Sequence, residues 1–240
     1  MPCYQEGSRL DPGRFDDFLR NHDDVGFVFV DDGSTDATAA VIEDAASRHP
    51  RRIAGIRNET NMGKGESVRR GVLFAADKAE YLGYWDADLS TPLDLIPDLV
   101  AVLKQRSACL VMGTRIKITG HEIIRKPYRH YQGRVFATLA SAVIGHGFYD
   151  TQCGAKVFRQ EIVAPCFAQP FLSRWCFDIE LILRVMDCCG VDDVNTLESR
   201  ILEIPLRRWI DAGDSRLKAT DVLRMAGDLA RIYYRYRRPG

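Results

Sequence analysis

Short runs of branched and aromatic residues alternate along the first half of the chain with stretches whose apolar residues recur every three or four positions. "VGFVFVDD" (25–32) is a strand candidate that ends in acids. "DATAAVIEDAASRHP" (36–50) follows it with helical spacing, and Pro50 closes the segment. The pair repeats as "RRIAGIRN" with "KGESVRRGVLFAADKA", and as "EYLGYWDAD" with "PLDLIPDLVAVLKQR"; "ACLVMGTR" supplies one more strand. Strands separated by helices of this length are joined in parallel, which predicts a doubly wound α/β sheet. Beyond Ile118 the rhythm changes. A long helix is expected over "RKPYRHYQGRVFATLASAVIGHG", strands at "CGAKVFR" and "SRILEIPLRRW" with the helix "FDIELILRVMDCCG" between them, and a last helix over 214–238. No internal repeat or linker divides the chain, so it reads as one domain, 1–240, with a first half (1–118), a second (119–215) and a C-terminal helix (216–240).

Composition changes this picture little. Lys plus Arg and Asp plus Glu number 33 each, so no global charge points to nucleic acid. The longest apolar run, "VFATLASAVIG", is too short for a bilayer span, and the opening "MPCYQEGSRLD" does not read as a signal peptide. Seven cysteines without a C-x-x-C pair fit free thiols of a reducing compartment rather than a disulfide frame or a zinc site. The expected location is cytoplasmic.

Polar clusters close several strands. In such sheets ligands bind at the carboxyl ends of the strands, and Asp31/Asp32, Asp86/Asp88 and Arg115 all fall there. A G-x-G-x-x-G between strand and helix is missing, and "NETNMGKGES" lacks the spacing of a P-loop, which excludes the usual dinucleotide and Walker readings. Asp86 and Asp88 share one side of an extended strand by the two-residue period. Hard oxygen donors on a short turn suit Mg²⁺ or Mn²⁺, while capping of the helix after Pro92 is the plainer role for either acid.

Several elements stand in a recognisable order: "PCYQE" (2–6), "VDDGSTD" (30–36), "NMGKGESVRRG" (61–71) and "DAD" (86–88). Together they resemble the inverting nucleotide-sugar glycosyltransferases of family 2, which have the GT-A fold. "YDTQCGAKVFR" (149–159), "RWCFDIELILR" (174–184) and a late Trp followed by "DSRLK" resemble the dolichyl-phosphate β-glucosyltransferase branch of that family. The resemblance implies a mixed, mostly parallel sheet in which the chain lacks most of the first strand, and it carries the expectation that the true start lies upstream of Met1.

The resemblance also implies roles. Pro2, Tyr4, Glu6, Asp31 and Asp32 would line the nucleotide pocket, with Asp32 as first choice to accept the imide N–H of uracil. Lys64 and Arg216 would neutralise the diphosphate, Asp86 would touch the donor, and Asp86 with Asp88 would hold the metal. Asp178, followed by Leu181 and Arg184 in the family's spacing, is the candidate base; Asp150 is the second, and Glu180 a structural acid. The family's acid before Asp178 is here Phe177. Arg115 and Arg129 would grip an acceptor phosphate, with Arg125, Lys126 and Arg134 nearby.

The C-terminal helix puts apolar residues on one face and arginines on the other. Residues 216–240 carry seven Arg or Lys against two Asp, a composition that suits either peripheral contact with anionic lipid or packing on the core. The resulting expectation is metal-dependent, inverting transfer of a hexose, by resemblance glucose, from a UDP-sugar to a polyprenyl or dolichyl phosphate. Its rivals are a soluble glycan or metabolite acceptor, and a catalytically silent nucleotide-sugar-binding protein.

Overall fold

The structure, a computed structural model, describes residues 1–124, 127–211 and 219–237; at 127–132 and 219–223 only the backbone is described. Three sheets form. Strands β1 (Pro2–Cys3), β2 (Phe27–Asp31) and β3 (Ile53–Arg57) run parallel in the order β1-β2-β3. Strands β4 (Tyr81–Trp85), β5 (Leu110–Thr114), β7 (Ala155–Arg159) and β8 (Ile201–Pro205) make a second sheet in the order β4-β7-β5-β8. A parallel pair, β6 (Glu122–Ile124) and β9 (Arg208–Ile210), lies apart from both.

Helices α1 (Pro12–Asn21), α2 (Thr38–Arg48), α3 (Lys64–Ala75) and α4 (Leu95–Gln105) link the strands of the first half. Helices α5 (Pro127–Ile144), α6 (Val163–Phe167), α7 (Phe177–Cys188), α8 (Val194–Arg200) and α9 (Ala219–Tyr236) complete the second. The expected strands and long helices are present, except that "SRILEIPLRRW" divides into the end of α8, β8 and β9, and 214–218 and 238 of the expected last helix lie outside the described residues. Helix α1 was not foreseen, although its signals are local: the Asp11 side chain accepts from the Gly13 amide, and Pro12 opens the first turn. It buries Phe15, whose ring meets Phe27 and Phe29 edge-on at 5.2 and 5.0 Å, and so ties α1 to β2.

One topological feature decides where the site lies. β7 runs antiparallel to both of its neighbours, β4 and β5. The loop that enters β7 therefore arrives at the carboxyl ends of β4 and β5, beside Asp86 and Arg115, which follow them. Strand β1 is short. Its ladder covers only Val30 and Asp31 of β2, and among the described strands β4 pairs with β7 alone. Helix α3 covers a cleft of about 130 Å³ between β2 and β4, lined by Met1, Val28, Val72, Leu82 and Tyr84 among others. The Met1 ammonium lies at this cleft and donates to the Val28 carbonyl at 2.6 Å. Burial pulls the pKa of that ammonium below its ordinary value.

Helix α9 packs its apolar face inward: Leu229 and Ile232 are buried, and Met225 and Tyr236 rest against the same core as α5 and α7. Most of that face is thus engaged with the core, while Ala226 and Tyr233 at its margin stay exposed. No helix among the described residues is long and apolar enough to cross a membrane.

Candidate active site

The floor of the site is the turn after β2. Asp31 is 2% exposed and accepts the Ser34 amide at 2.9 Å through Oδ1, closing a turn that runs through Gly33 at φ +70°. Its Oδ2 has no hydrogen bond and faces the Arg57 Nε at 3.3 Å. Asp32 is spent differently. Its Oδ1 accepts from Asn58 Nδ2 at 2.7 Å and from the Met62 amide at 2.8 Å, and its Oδ2 from the Gly63 amide at 2.8 Å. Asp32 thus ties down the loop that leads into α3, and both of its oxygens are engaged inside the chain. Pro2 lies in β1, Tyr4 is 39% exposed beside it, and Glu6 is buried and accepts from Arg9 at 2.7 Å.

Lys64 opens α3 and reaches across to β4, where its Nζ meets Asp86 Oδ1 at 2.6 Å. Burial alone would raise the Asp86 pKa, but Lys64 outweighs it and holds the carboxyl below its usual range. Burial would likewise lower the Lys64 pKa, and the pull of Asp86 and Asp178 raises it instead. Both partners are charged. Asp88 accepts the Ser90 amide at 2.9 Å through Oδ1. Among the described residues, neither Asp86 Oδ2 nor Asp88 Oδ2 has a protein hydrogen bond. Two open carboxylate oxygens on one turn form a donor set of the kind hard divalent cations take, with the remaining positions left to water and phosphate. The fit is good, although no group of three or more His, Cys, Asp or Glu among the described residues could hold a metal unaided. Gly154 makes room for this acid: a Cβ there would come within 1.9 Å of Asp86 Oδ2.

The loop entering β7 carries Asp150, which grips Arg115 in bidentate fashion, Nε to Oδ2 at 2.6 Å and Nη2 to Oδ1 at 2.7 Å. The guanidinium lies over the Trp209 ring at 5.2 Å. Burial would raise the Asp150 pKa, and Arg115 more than reverses that. Arg115 is therefore not a free phosphate fork but half of a buried pair. Sequence reasoning missed what holds the loop. Glu203, from the middle of β8, accepts the Tyr149 and Asp150 amides at 2.8 Å each, and its own burial pushes its pKa up.

Asp178 stands in the first turn of α7, 2% exposed. Its Oδ1 accepts from Lys156 Nζ at 2.6 Å and from the Tyr84 hydroxyl. Lys156 is fully buried and also donates to the Thr151 and Cys153 carbonyls at 2.9 and 2.7 Å, so one ammonium joins the β7 loop to α7. Neither Lys156 nor Tyr84 was singled out from sequence. A lysine inside "GAKVF" looks like any surface cation until its partner, 22 residues on, is in place. Glu180 is structural, as expected, accepting from Arg184, Tyr236 and the Leu172 amide. Arg216, Arg125 and Lys126 lie outside the described residues, as does the Arg129 side chain. Arg134 lies over the Tyr149 ring at 4.3 Å, next to Asp150.

With the geometry in hand, comparison with known proteins is informative. The family model described as Glycosyl transferase family 2 matches residues 1–167. A dolichyl-phosphate beta-glucosyltransferase of Trichomonas vaginalis is 31% identical over 251 residues, spanning 99% of this chain and 70% of that protein. The enzyme of that name from Dictyostelium discoideum is 27% identical, spanning 98% of this chain and 73% of its own. Among solved structures, glucosyl-3-phosphoglycerate synthase from Mycobacterium tuberculosis, in complex with Mn²⁺, UDP and phosphoglyceric acid, superposes with a TM-score of 0.67. The match covers all of this chain and 78% of that one at 20% identity, which speaks for the fold alone.

Proposed function

Because this chain belongs to glycosyl transferase family 2, we propose that it moves glucose, with inversion, from UDP-glucose to a polyprenyl or dolichyl phosphate, assisted by Mg²⁺ or Mn²⁺. The donor and acceptor follow the names of its relatives. The observation that carries the acceptor class lies in the chain itself: both candidate bases already hold cations. Lys156 and the Tyr84 hydroxyl both donate to Asp178 Oδ1, and Arg115 engages both oxygens of Asp150. A sugar hydroxyl must surrender a proton as it attacks, so it calls for a free, positioned carboxylate. A phosphate monoester, with its second pKa near 6, brings its own negative oxygen. The site suits the second.

In this reading Asp31 rather than Asp32 accepts the uracil imide, since Asp31 Oδ2 is the buried oxygen still lacking a hydrogen-bond donor. Asp86 and Asp88 would hold the divalent cation, which supplies charge stabilisation for the departing diphosphate. Lys64, already beside Asp86, is placed to shift its ammonium toward that diphosphate. Asp178, fixed by Lys156 and Tyr84, orients without abstracting, and the packed Tyr84 and Phe177 rings keep water from its buried side.

The test offers radiolabelled UDP-glucose and Mn²⁺ with either a short polyprenyl phosphate or the matching polyprenol, for the native chain and Asp178→Asn. Label is expected in organic extract with the phosphate only, and Asp178→Asn keeps transfer within about tenfold, well short of the 10²–10⁴ that general-base loss costs. Transfer to the free alcohol, abolished in Asp178→Asn, would overturn the acceptor assignment.

A further inference from the structure

Helix α9 is joined to the site through one buried hydroxyl. Ser173, 3% exposed, stands in the turn that leads from α6 into α7. Its Oγ accepts the Cys176 amide at 2.8 Å and the Trp175 amide at 3.2 Å, and so caps a helix whose own N-cap residue, Cys176, makes no side-chain capping bond. A hydroxyl has one proton to give, and this one goes to Asp228 Oδ2 of α9 at 2.6 Å. The other neighbour of Asp228, Arg231 at 3.9 Å, is 65% exposed and adds little. A second grip lies further along α9. There the Tyr236 hydroxyl donates to Glu180 Oε1 at 2.9 Å, while Glu180 Oε2 takes the Leu172 amide at 2.7 Å. One helix thus holds the entry to α7 at 172–173 and again at 180.

The turn it holds reaches both sides of the crevice. Toward α3, the Arg174 carbonyl accepts the Gly65 amide at 3.1 Å, and the Arg174 guanidinium donates to the Asn61 carbonyl at 2.8 Å and to the Asn61 side chain. Arg174 also packs on Gly63, where a Cβ would come within 2.5 Å of its Nε. The Met62 and Gly63 amides bind Asp32, and Lys64 follows them to meet Asp86. Toward α7, Cys176 is two residues before Asp178, which Lys156 and Tyr84 fix from the opposite side. We propose that Asp228 is a positioning residue for the transfer reaction: by taking the Ser173 proton it sets the 172–176 turn, and through Arg174 it sets the loop that aims Lys64. This role rests on the reaction proposed above and adds to it a residue outside the crevice. Hydrogen bonds to a carboxylate are among the stronger ones, so loss of this one frees the turn. Asp178 keeps its own anchors, and the displacement is felt chiefly at Lys64.

The test compares Asp228→Ala, Asp228→Asn and Ser173→Ala in the full chain, well below their melting temperatures. It reads transfer of label to a short polyprenyl phosphate, and amide hydrogen exchange by peptide. Asp228→Ala lowers kcat at least about tenfold, part of the 10²-fold that an ångström of misplacement costs. Asp228→Asn, whose oxygen can still accept from Ser173, restores most of that loss; a role resting on the charge of the carboxylate would not allow this. Adding Asp228→Ala to Ser173→Ala changes nothing further, because the aspartate acts through that hydroxyl. Exchange quickens in peptides spanning 61–67 and 172–178 and stays native over β2. Native turnover in Asp228→Ala, native exchange at 61–67, or additive losses in the double variant would each overturn this role. Should Asp228→Ala not fold, Ser173→Ala carries the same readouts, since it leaves a carboxylate that is 22% exposed and open to water. A native chain that transfers no label would sink the reaction proposed above, and the exchange pattern would still decide whether Asp228 holds the Lys64 loop.

Discussion

Replacing Gly154 by alanine separates the catalytic geometry from the stability of the fold. Gly154 sits just before β7, and its carbonyl accepts the Asp86 amide at 3.0 Å. Its φ is not in the left-handed region, so alanine can take up the backbone conformation. The obstacle is the new methyl group. It would lie 1.9 Å from Asp86 Oδ2 and 2.1 Å from the Asp86 Cγ, where ordinary contact begins at 3.4 Å. The carboxylate must retreat by about 1.5 Å, the difference between those two distances. That movement breaks the 2.6 Å contact with Lys64 and changes the spacing to Asp88.

The stability cost is small. The lost pair has a 36% exposed carboxylate, and such pairs contribute about 0–1 kcal/mol. Removing a glycine from the unfolded chain returns about 0.4–1 kcal/mol, so Tm should stay within about 4 °C. Activity should fall much further. Misplacing a reacting group by an ångström costs about 10²-fold, equivalent to about 2.7 kcal/mol. The assay pairs a thermal melt with transfer of label into organic solvent and calorimetry of UDP with Mn²⁺. Gly147→Ala, whose added Cβ meets nothing within 4 Å, is the control. A Gly154→Ala protein with native Tm and native turnover would refute the placement of Asp86 in the reaction centre; one that fails to fold would show the close approach to be architectural.

Other consequences follow from the buried network. Lys156→Met strands the buried Asp178 carboxylate and should cost about 3–5 kcal/mol in chemical denaturation, much of it recovered when Asp178→Leu is added. Glu203→Gln can serve only one of the two amides at 149 and 150, and should lose about 1–3 kcal/mol while slowing transfer through a loosened Asp150 loop. For the 240-residue chain, the Met1 amine has a pKa below 8.0 in the fold because of burial, so the unfolded state binds the extra proton. Stability is then full above pH 8.0 and falls as pH drops through the depressed value. N-terminal acetylation should abolish that slope in denaturation curves taken across neutral pH.

The parts of the fold that could be read from sequence are those encoded locally. Branched runs ending in acid gave β2 and β4, and helical spacing gave α2, α3, α4 and α7, because each depends only on neighbouring residues. Strand direction is not local. Nothing within "CGAKVFR" says that β7 runs against β4 and β5, yet that reversal carries Asp150 and Gly154 to the same end as Asp86. The division of labour in the Asp31–Asp32 pair was also hidden. Two adjacent aspartates look alike until the loop at 58–63 returns and delivers its donors to one of them. Helix α9 showed its two faces plainly, but whether the apolar one meets lipid or protein depends on α5 and α7, which lie far earlier in the chain.

Charge accounting in the crevice leads to one further step. Three ion pairs, Lys64–Asp86, Arg115–Asp150 and Lys156–Asp178, each close at 2.6 Å. Each cation is already matched by a carboxylate, and Asp88 stands beside them with no ion-pair partner among the described residues. Before any substrate arrives, these seven groups therefore sum to one negative charge. The nucleotide diphosphate and lipid phosphate of the proposed reaction would both add to it, so these seven groups alone would repel them. These three pairs leave no cation over to attract them, and the open oxygens of Asp86 and Asp88 are where a divalent cation would add positive charge. The Lys64 pair is the one most exposed to solvent, and so the one able to rearrange when that cation binds. On the proposed function, metal dependence would follow from how completely these three cations are committed.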